Sequence, residues 1–303
     1  MFNTYRRGLF ITAFLAAPVT LYLVYVISPY FQAFYISMTD WRGVTATPNF
    51  VGLDNFVRLF SDGIFWKAVT HNAALLMLLP LVTIVIALFF AFLLNVGGGG
   101  RGVAGIAGSK FYRVVFFFPH VLAVTVVAVL FQQVFRPDGS GMLNGPLMAL
   151  GMGPIGFLSD PDVAFWSVLG VMVWQAVGFY VVLFSAGLAS IPRDMFEAAR
   201  IDGAGRLSLF FRITLPLLWD TLQVAWVYLG ILALDVFAIV WVMTDQHGGP
   251  DFSTTVMAAE IYRNAFGYFR FGYASALGVV MFFFTIGFTI LSLRLSRRER
   301  IEY

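Results

Sequence analysis

The sequence contains no cysteine and only 3 histidines in 303 residues. The missing cysteines exclude disulfides, thiolate metal sites and a cysteine nucleophile. His71, His120 and His247 lie far apart and show no metal-ligand spacing. Charge is scarce as well. Asp, Glu, Lys and Arg make up 12% of the chain, against roughly 25% in a soluble domain. The net charge of +3 is small, which removes the electrostatic footprint of a nucleic-acid binder. No serine–histidine–acid or metal constellation has a recognisable spacing, so the chain is read as a non-enzyme.

Hydrophobic residues fill the space that charge leaves. They form 60% of the chain, and mean hydropathy is +0.84. This is the composition of an integral membrane protein. The stretch from Gly8 to Thr39 carries no charge and exceeds the roughly 20 residues needed to span a bilayer. It is too long for the apolar core of a cleavable signal peptide. Five further apolar stretches follow, giving expected spans at about 9–36, 68–95, 113–135, 163–189, 218–244 and 271–293. No span alternates as a barrel strand would, and backbone in lipid must satisfy its own hydrogen bonds. The expected fold is therefore all-α and polytopic, with a short N-terminus (1–8), a polar loop (190–217) and a charged tail (294–303).

The Lys and Arg distribution orients the chain. Most of the 19 fall in the termini and in the segments after spans 2 and 4. Arg42, Arg58, Lys67, Arg136, Arg263 and Arg270 fall on the other side. The positive-inside rule places both termini and the 190–217 loop in the cytoplasm. Gly97 to Gly100, with Gly102, Gly105 and Gly108, is not a phosphate cradle. Such a loop needs Gly-Lys-Ser/Thr after a strand, whereas here Gly108-Ser109-Lys110 follows a membrane span. A cytoplasmic linker suits it better.

The polar loop is the most informative stretch. Ser190 as an N-cap, Pro192 in a first turn and good helix formers to Asp202 predict a short helix, which Gly203 can end in a left-handed conformation. Arg206 to Thr214 predicts a second short helix, stopped by Pro216. An ordinary solvated loop would share this composition but not its spacing. Glu197-Ala198-Ala199, three residues, Gly203, nine residues and Ile213-x-Leu215-Pro216 resembles the signature loop of the membrane subunits of binding-protein-dependent ABC importers. Phe50-Val-Gly-Leu-Asp-Asn-Phe56 and Phe111-Tyr-Arg-Val-Val-Phe-Phe-Phe-Pro119 are similar to carbohydrate-uptake permeases of that family. The segments 50–72, 109–135 and 218–235, with the ending Ser296 to Tyr303, look most like permeases for N-acetylglucosamine or its β-linked dimer.

The resemblance implies one of two membrane subunits of a sugar importer in a bacterial or archaeal cytoplasmic (inner) membrane, working by alternating access. Its partners would be a second homologous permease, two copies of a cytoplasmic ATPase that hold the ATP and magnesium, an extracytoplasmic sugar-binding protein and the lipid bilayer. No cofactor is implied for this chain itself. Glu197 would pair with a basic residue of the ATPase, and Ala198 and Ala199 would pack in its cleft. Gly203 would turn the chain, and Ile213, Leu215 and Pro216 would anchor the loop to span 5.

Asp235 is the ionisable residue set well inside a predicted span, about 24 Å beyond Trp219 along a helix. A carboxylate there costs roughly 2.5–3.5 kcal/mol on insertion scales, so it is expected to be functional or paired. Sugar paths combine aromatic rings with amides and hydroxyls. The candidates are Thr125, Gln132, Trp174, Gln175, Tyr180, Tyr228 and Asp235. Tyr228 and Asp235 are spaced to share a helix face. Taken singly, a residue of this kind in a span more often faces lipid or packs than binds substrate. An ion-coupled secondary transporter would instead require several intramembrane charges and inverted repeats, and a membrane scaffold would not need the Glu197–Pro216 spacing.

Overall fold

A computed structural model describes residues 2–44, 48–96 and 108–295. The glycine linker at 97–100, Arg101 and the tail from Ser296 lie outside the described residues. Those described are overwhelmingly helical, and the β-structure among them is one isolated bridge between Thr39 and Phe50.

Among the described residues four helices are long and apolar enough to cross a membrane: Arg7–Ser37, Gly63–Asn95, Pro161–Ser190 and Phe271–Arg294. Two further crossings are broken. Ser109–Val121 and Val124–Val134 meet at 96°, and Arg206–Leu217 and Trp219–Leu234 meet at 72°. The first crossing consists of α1 (Phe2–Tyr22), a π-helical stretch (Leu23–Ile27) and α2 (Ser28–Ser37). The chain then forms α3 (Asp54–Ser61), α4 (Gly63–Val96), α5 (Ser109–Val121), α6 (Val124–Val134) and α7 (Asn144–Ala149). After them come α8 (Pro161–Ser190), α9 (Arg193–Ile201), α10 (Arg206–Leu209), α11 (Leu215–Leu217), α12 (Trp219–Leu234) and α13 (Ala238–Met243). The last are α14 (Met257–Tyr262) and α15 (Phe271–Leu295).

Two expectations need correction here. Span 3, expected as one helix over 113–135, is interrupted at Leu122 and Ala123, whose ψ values of 138° and 135° are extended. Span 5, expected over 218–244, ends as a helix at Leu234 and restarts at Ala238. Hydropathy misses both breaks because the interrupting residues are themselves largely apolar.

The chain divides into two compact units, Met1–Phe65 with Glu260–Phe283, and Trp66–Ala259 with Phe284–Tyr303. In the first, Phe34 packs edge-on against Phe282 and Phe283. Asn55, buried, donates to the Ser37 and Thr39 carbonyls at 2.9 and 2.8 Å and so closes the end of α2. Buried Glu260 pairs with Arg263.

The second unit is built on α8. Asp160 caps it by accepting from the Asp162 N–H at 2.9 Å, and Pro161 suits its first turn. Buried residues occur all around it, from Ala164 to Leu188, as expected of a central helix that is apolar on every face. It packs against α5, α12 and α13. Gly178 allows the closest approach, since a Cβ there would land on the Phe116 carbonyl of α5.

Candidate coupling and translocation sites

The polar loop folds as two short helices around a glycine turn. Pro192 occupies the cap position of α9 with an extended backbone, and its carbonyl accepts from the Met195 N–H. Ser190 is not the N-cap expected from the sequence. It ends α8, and its hydroxyl donates to the Gly187 carbonyl at 2.7 Å. The C-terminus of α9 closes with the Gly203 N–H on the Arg200 carbonyl at 3.0 Å and the Ala204 N–H on the Ala199 carbonyl at 2.9 Å. This paired closure requires a left-handed residue between them, and Gly203 supplies it with φ 82°.

Packing then gives α9 two faces. Phe196 is buried at 3% exposure and pins the helix to the core, with Ala199 packed against that core. Glu197 and Ala198 face out, as do Ile201 and Leu207, which are 85% and 75% exposed. The outer face of the loop therefore carries a carboxylate, one small side chain at Ala198 and two apolar side chains. Pro216 does not stop the second helix as expected. The chain runs from α10 through a π-helical stretch (Phe210–Thr214) into α11, whose first turn holds Pro216. The π-type bond of the Leu215 N–H to the Phe210 carbonyl lies just ahead of Pro216, so the helical run continues past the N–H that proline lacks. Leu209 is buried, Ile213 and Leu215 pack on the core, and Phe92 meets Phe210 edge-on at 5.2 Å. The turn into α12 falls at Leu218.

Two of the helix breaks of the second unit, at Leu122–Ala123 and at Asp235–Phe237, line one cavity of about 520 Å³, a volume in the range of small-molecule sites, about 300–1,000 Å³; the bend at Leu218 lies outside it. Leu122 and Val124 come from the first break, and Asp235, Val236 and Phe237 from the second. Gln175, Tyr180 and Tyr228 complete its polar lining, and His120 and Phe179 stand as rings 5.0 Å apart on its wall. Irregular backbone inside a membrane is tolerated where it lines a cavity or is buried in protein, and broken helices mark substrate sites in transporters.

Each break leaves carbonyls that need donors, and side-chain amides supply them. Gln175 donates to the Leu122 carbonyl at 3.2 Å. Gln132 donates to the Val242 carbonyl at 2.6 Å, at the end of α13. Asn72, buried at 3% exposure, donates to the Ala233 carbonyl at 3.0 Å and the Leu234 carbonyl at 3.3 Å, and accepts from the Met257 N–H at 2.8 Å. Sequence reasoning missed this role of Asn72. The available signal was an amide near the start of an otherwise apolar span.

Of the seven predicted path residues, the cavity gathers Gln175, Tyr180, Tyr228 and Asp235. Thr125 is exposed on α6, Gln132 is engaged with α13, and Trp174 packs edge-on against Phe131 at 5.1 Å. None of these three lines the cavity. Asp235 sits at the C-cap of α12, its N–H on the Ile231 carbonyl at 3.0 Å, with an exposed side chain. A negative charge there opposes the helix dipole, and Asp235 joins no ion pair among the described residues. The arrangement offers aromatic faces, hydroxyls, an amide and an acceptor, but no nucleophile with an activating base. Among the described residues no group of His, Cys, Asp or Glu could hold a metal ion.

Membrane-length helices, two of them broken around a polar cavity, define a polytopic membrane permease. Residues 74–301 match the binding-protein-dependent transport system inner membrane component family, and the chain belongs to it. The diacetylchitobiose uptake system permease protein NgcF of Streptomyces coelicolor is 42% identical over 298 residues, covering 97% of this chain and 84% of that protein. The probable ABC transporter permease protein YurN of Bacillus subtilis is 32% identical over 294 residues, covering 94% and 95%. A chain of the crystal structure of a bacterial ABC transporter that imports the acidic polysaccharide alginate superposes with a TM-score of 0.83 over 99% of both chains at 22% identity. The chain thus has the fold of an ABC importer permease and is the transport subunit rather than the ATPase. An ion-coupled secondary transporter is not favoured.

Proposed function

We propose that this chain forms one half of the membrane pore of an ABC importer for a neutral amino-sugar disaccharide of the diacetylchitobiose class. The likeness to the Streptomyces permease over nearly the whole chain carries this reading of the substrate. The cavity is suited to such a ligand. Its rings can stack on pyranose faces, while Gln175, Tyr180, Tyr228 and Asp235 can hydrogen-bond hydroxyl and acetamido groups. A second, homologous permease would close the open side of the pore, and a sugar-binding protein would deliver substrate to the outer face.

The exposed face of α9 is read as the coupling helix. Glu197 would pair with a basic residue on one of two cytoplasmic ATPase subunits, which hold the ATP and magnesium. Ala198 would admit the close approach, and Ile201 and Leu207 would fill apolar pockets. Phe196 and the closed glycine turn make α9 a rigid lever, as transmission of ATP-driven closure requires. Both termini and α9 then lie in the cytoplasm, in agreement with the Lys and Arg distribution.

The test is uptake of labelled N-acetylglucosamine, diacetylchitobiose and an α-glucan disaccharide by cells with and without this gene. Loss of diacetylchitobiose uptake alone, restored by the wild-type gene, supports the substrate. Undiminished uptake of all three sugars in the deletion strain, with the remaining importer subunits expressed, would refute it.

A further inference from the structure

A second concavity, entirely within the first unit, differs from the cavity above. It encloses about 430 Å³ and is lined by Asp40, Asp54, Asp62, Arg42, Arg58 and Arg270. Trp41 and Tyr273 add aromatic walls. Six charges of both signs in one cleft would ordinarily neutralise one another as ion pairs. Among the described residues none of these guanidiniums does so with these carboxylates; the ion pairs lie elsewhere, at Arg136–Asp138 and Glu260–Arg263.

The cleft is nevertheless organised. Asp40 accepts from the backbone and side-chain amides of Asn49 at 2.8 and 3.0 Å. Those bonds hold its carboxyl below the usual carboxylate range. Asp62 accepts from the Tyr273 hydroxyl at 2.7 Å and the Ile64 N–H at 2.8 Å. Asn55 closes the floor through the Ser37 and Thr39 carbonyls, and Arg270 lies 5.5 Å from the Tyr268 ring. Arg42, Arg58 and Asp54 are exposed at the mouth.

Two held carboxylates, with a third carboxylate and three guanidiniums around them, suit a particular ligand chemistry. An anion would meet three carboxylates and a cation three guanidiniums. A neutral polyol meets neither penalty, because each hydroxyl can donate to a carboxylate and accept from a guanidinium at once. A sugar ring also has an apolar face for an aromatic wall. We propose that this cleft is a second saccharide site, on the outer face, that holds a neutral sugar independently of the Gln175–Asp235 cavity. This rests on the sugar-import reading and on the positive-inside assignment, which puts Arg42, Arg58 and Arg270 on the side opposite the termini.

The test uses the complete transporter in nanodiscs without its binding protein, with N,N′-diacetylchitobiose as probe and saturation-transfer NMR as readout. The inner cavity is disabled by Tyr228→Ala with Asp235→Asn, and the outer cleft by Arg42→Ala with Arg58→Ala. The sugar signal is expected to persist in the inner variant and to fall about tenfold when the outer pair is added, the effect of losing one or two charge-assisted hydrogen bonds. A signal abolished by the inner variant alone overturns the outer site and leaves the import reading intact. No signal from the wild-type complex likewise overturns the outer site, while the import reading is decided by the uptake assay above. An outer variant that retains its sugar signal but loses stimulation of ATP hydrolysis by the binding protein makes the cleft a protein-docking surface and also overturns the proposal. Unchanged basal ATP hydrolysis in the outer variant shows that the complex is still assembled.

Discussion

Helix α9 and the cavity of the second unit are built by opposite means. Helix α9 is a local construction. Its cap, its closing glycine and its buried Phe196 all lie within a dozen residues, and its outward face follows from helical spacing. The cavity assembles Leu122, Gln175 and the Tyr228–Asp235 pair from three distant parts of the chain, at two places where helices stop. The first kind of site can be altered at one residue without disturbing the second. The second depends on backbone approaches made elsewhere, so changes far from the cavity can destroy it.

The sharpest way to break this contrast is Gly178→Leu. A side chain there meets the Phe116 backbone, which cannot swing aside as a side chain can, so α5 must leave α8 and take the Leu122 break with it. Loss of folded protein from the membrane is expected, measured by detergent-resistant size-exclusion recovery. Normal recovery would show that the cavity wall tolerates displacement.

Glu197→Lys should act at the other pole. Sugar uptake is expected to fall to background, with normal membrane abundance and retained sugar binding by the complex. Uptake near wild type would remove α9 from the coupling path.

Asn72→Leu tests the support of the second break. It strands the Ala233 and Leu234 carbonyls and the Met257 N–H, each costing about 1–3 kcal/mol when buried without a partner. The expected result is a marked fall in thermal stability with no specific change in coupling. A variant with wild-type stability would show that the α12 end is held by other groups.

Asp235→Asn keeps the size and removes the charge. If the carboxylate accepts a sugar hydroxyl, uptake should weaken about tenfold, corresponding to about 1.4 kcal/mol, while basal ATP hydrolysis stays unchanged. Equal uptake by the variant would make Asp235 a bystander at the cavity edge.

The smallest effect is expected from Gly203→Ala. No atom lies within 4 Å of a Cβ built there, so the penalty is conformational, about 1 kcal/mol for a left-handed non-glycine residue. Alanine should therefore reduce coupling modestly, and bulkier residues no more than alanine. Steeply graded loss with side-chain size would mean that Gly203 faces a partner closely.

Much of this molecule was legible before any coordinates. Long uncharged runs can bury their backbone polar groups in a membrane only as helices, so composition determined the fold class. Short-range spacing determined α9 and its glycine closure, because caps and turns act over three to six residues. Asp235, Gln175, Tyr180 and Tyr228 stood out as polar groups in apolar surroundings. Hydropathy could not show where spans 3 and 5 break, since Leu122, Ala123, Val236 and Phe237 are as apolar as the helices they interrupt and a single Asp235 does not by itself end a helix. Nor could it show that Gln132 and Asn72 satisfy freed carbonyls, or that Trp174 packs away from the cavity. Those outcomes were decided by tertiary structure, because a helix break is stable only when another helix brings an amide to the exposed carbonyl, and that meeting is a property of packing rather than of any local stretch.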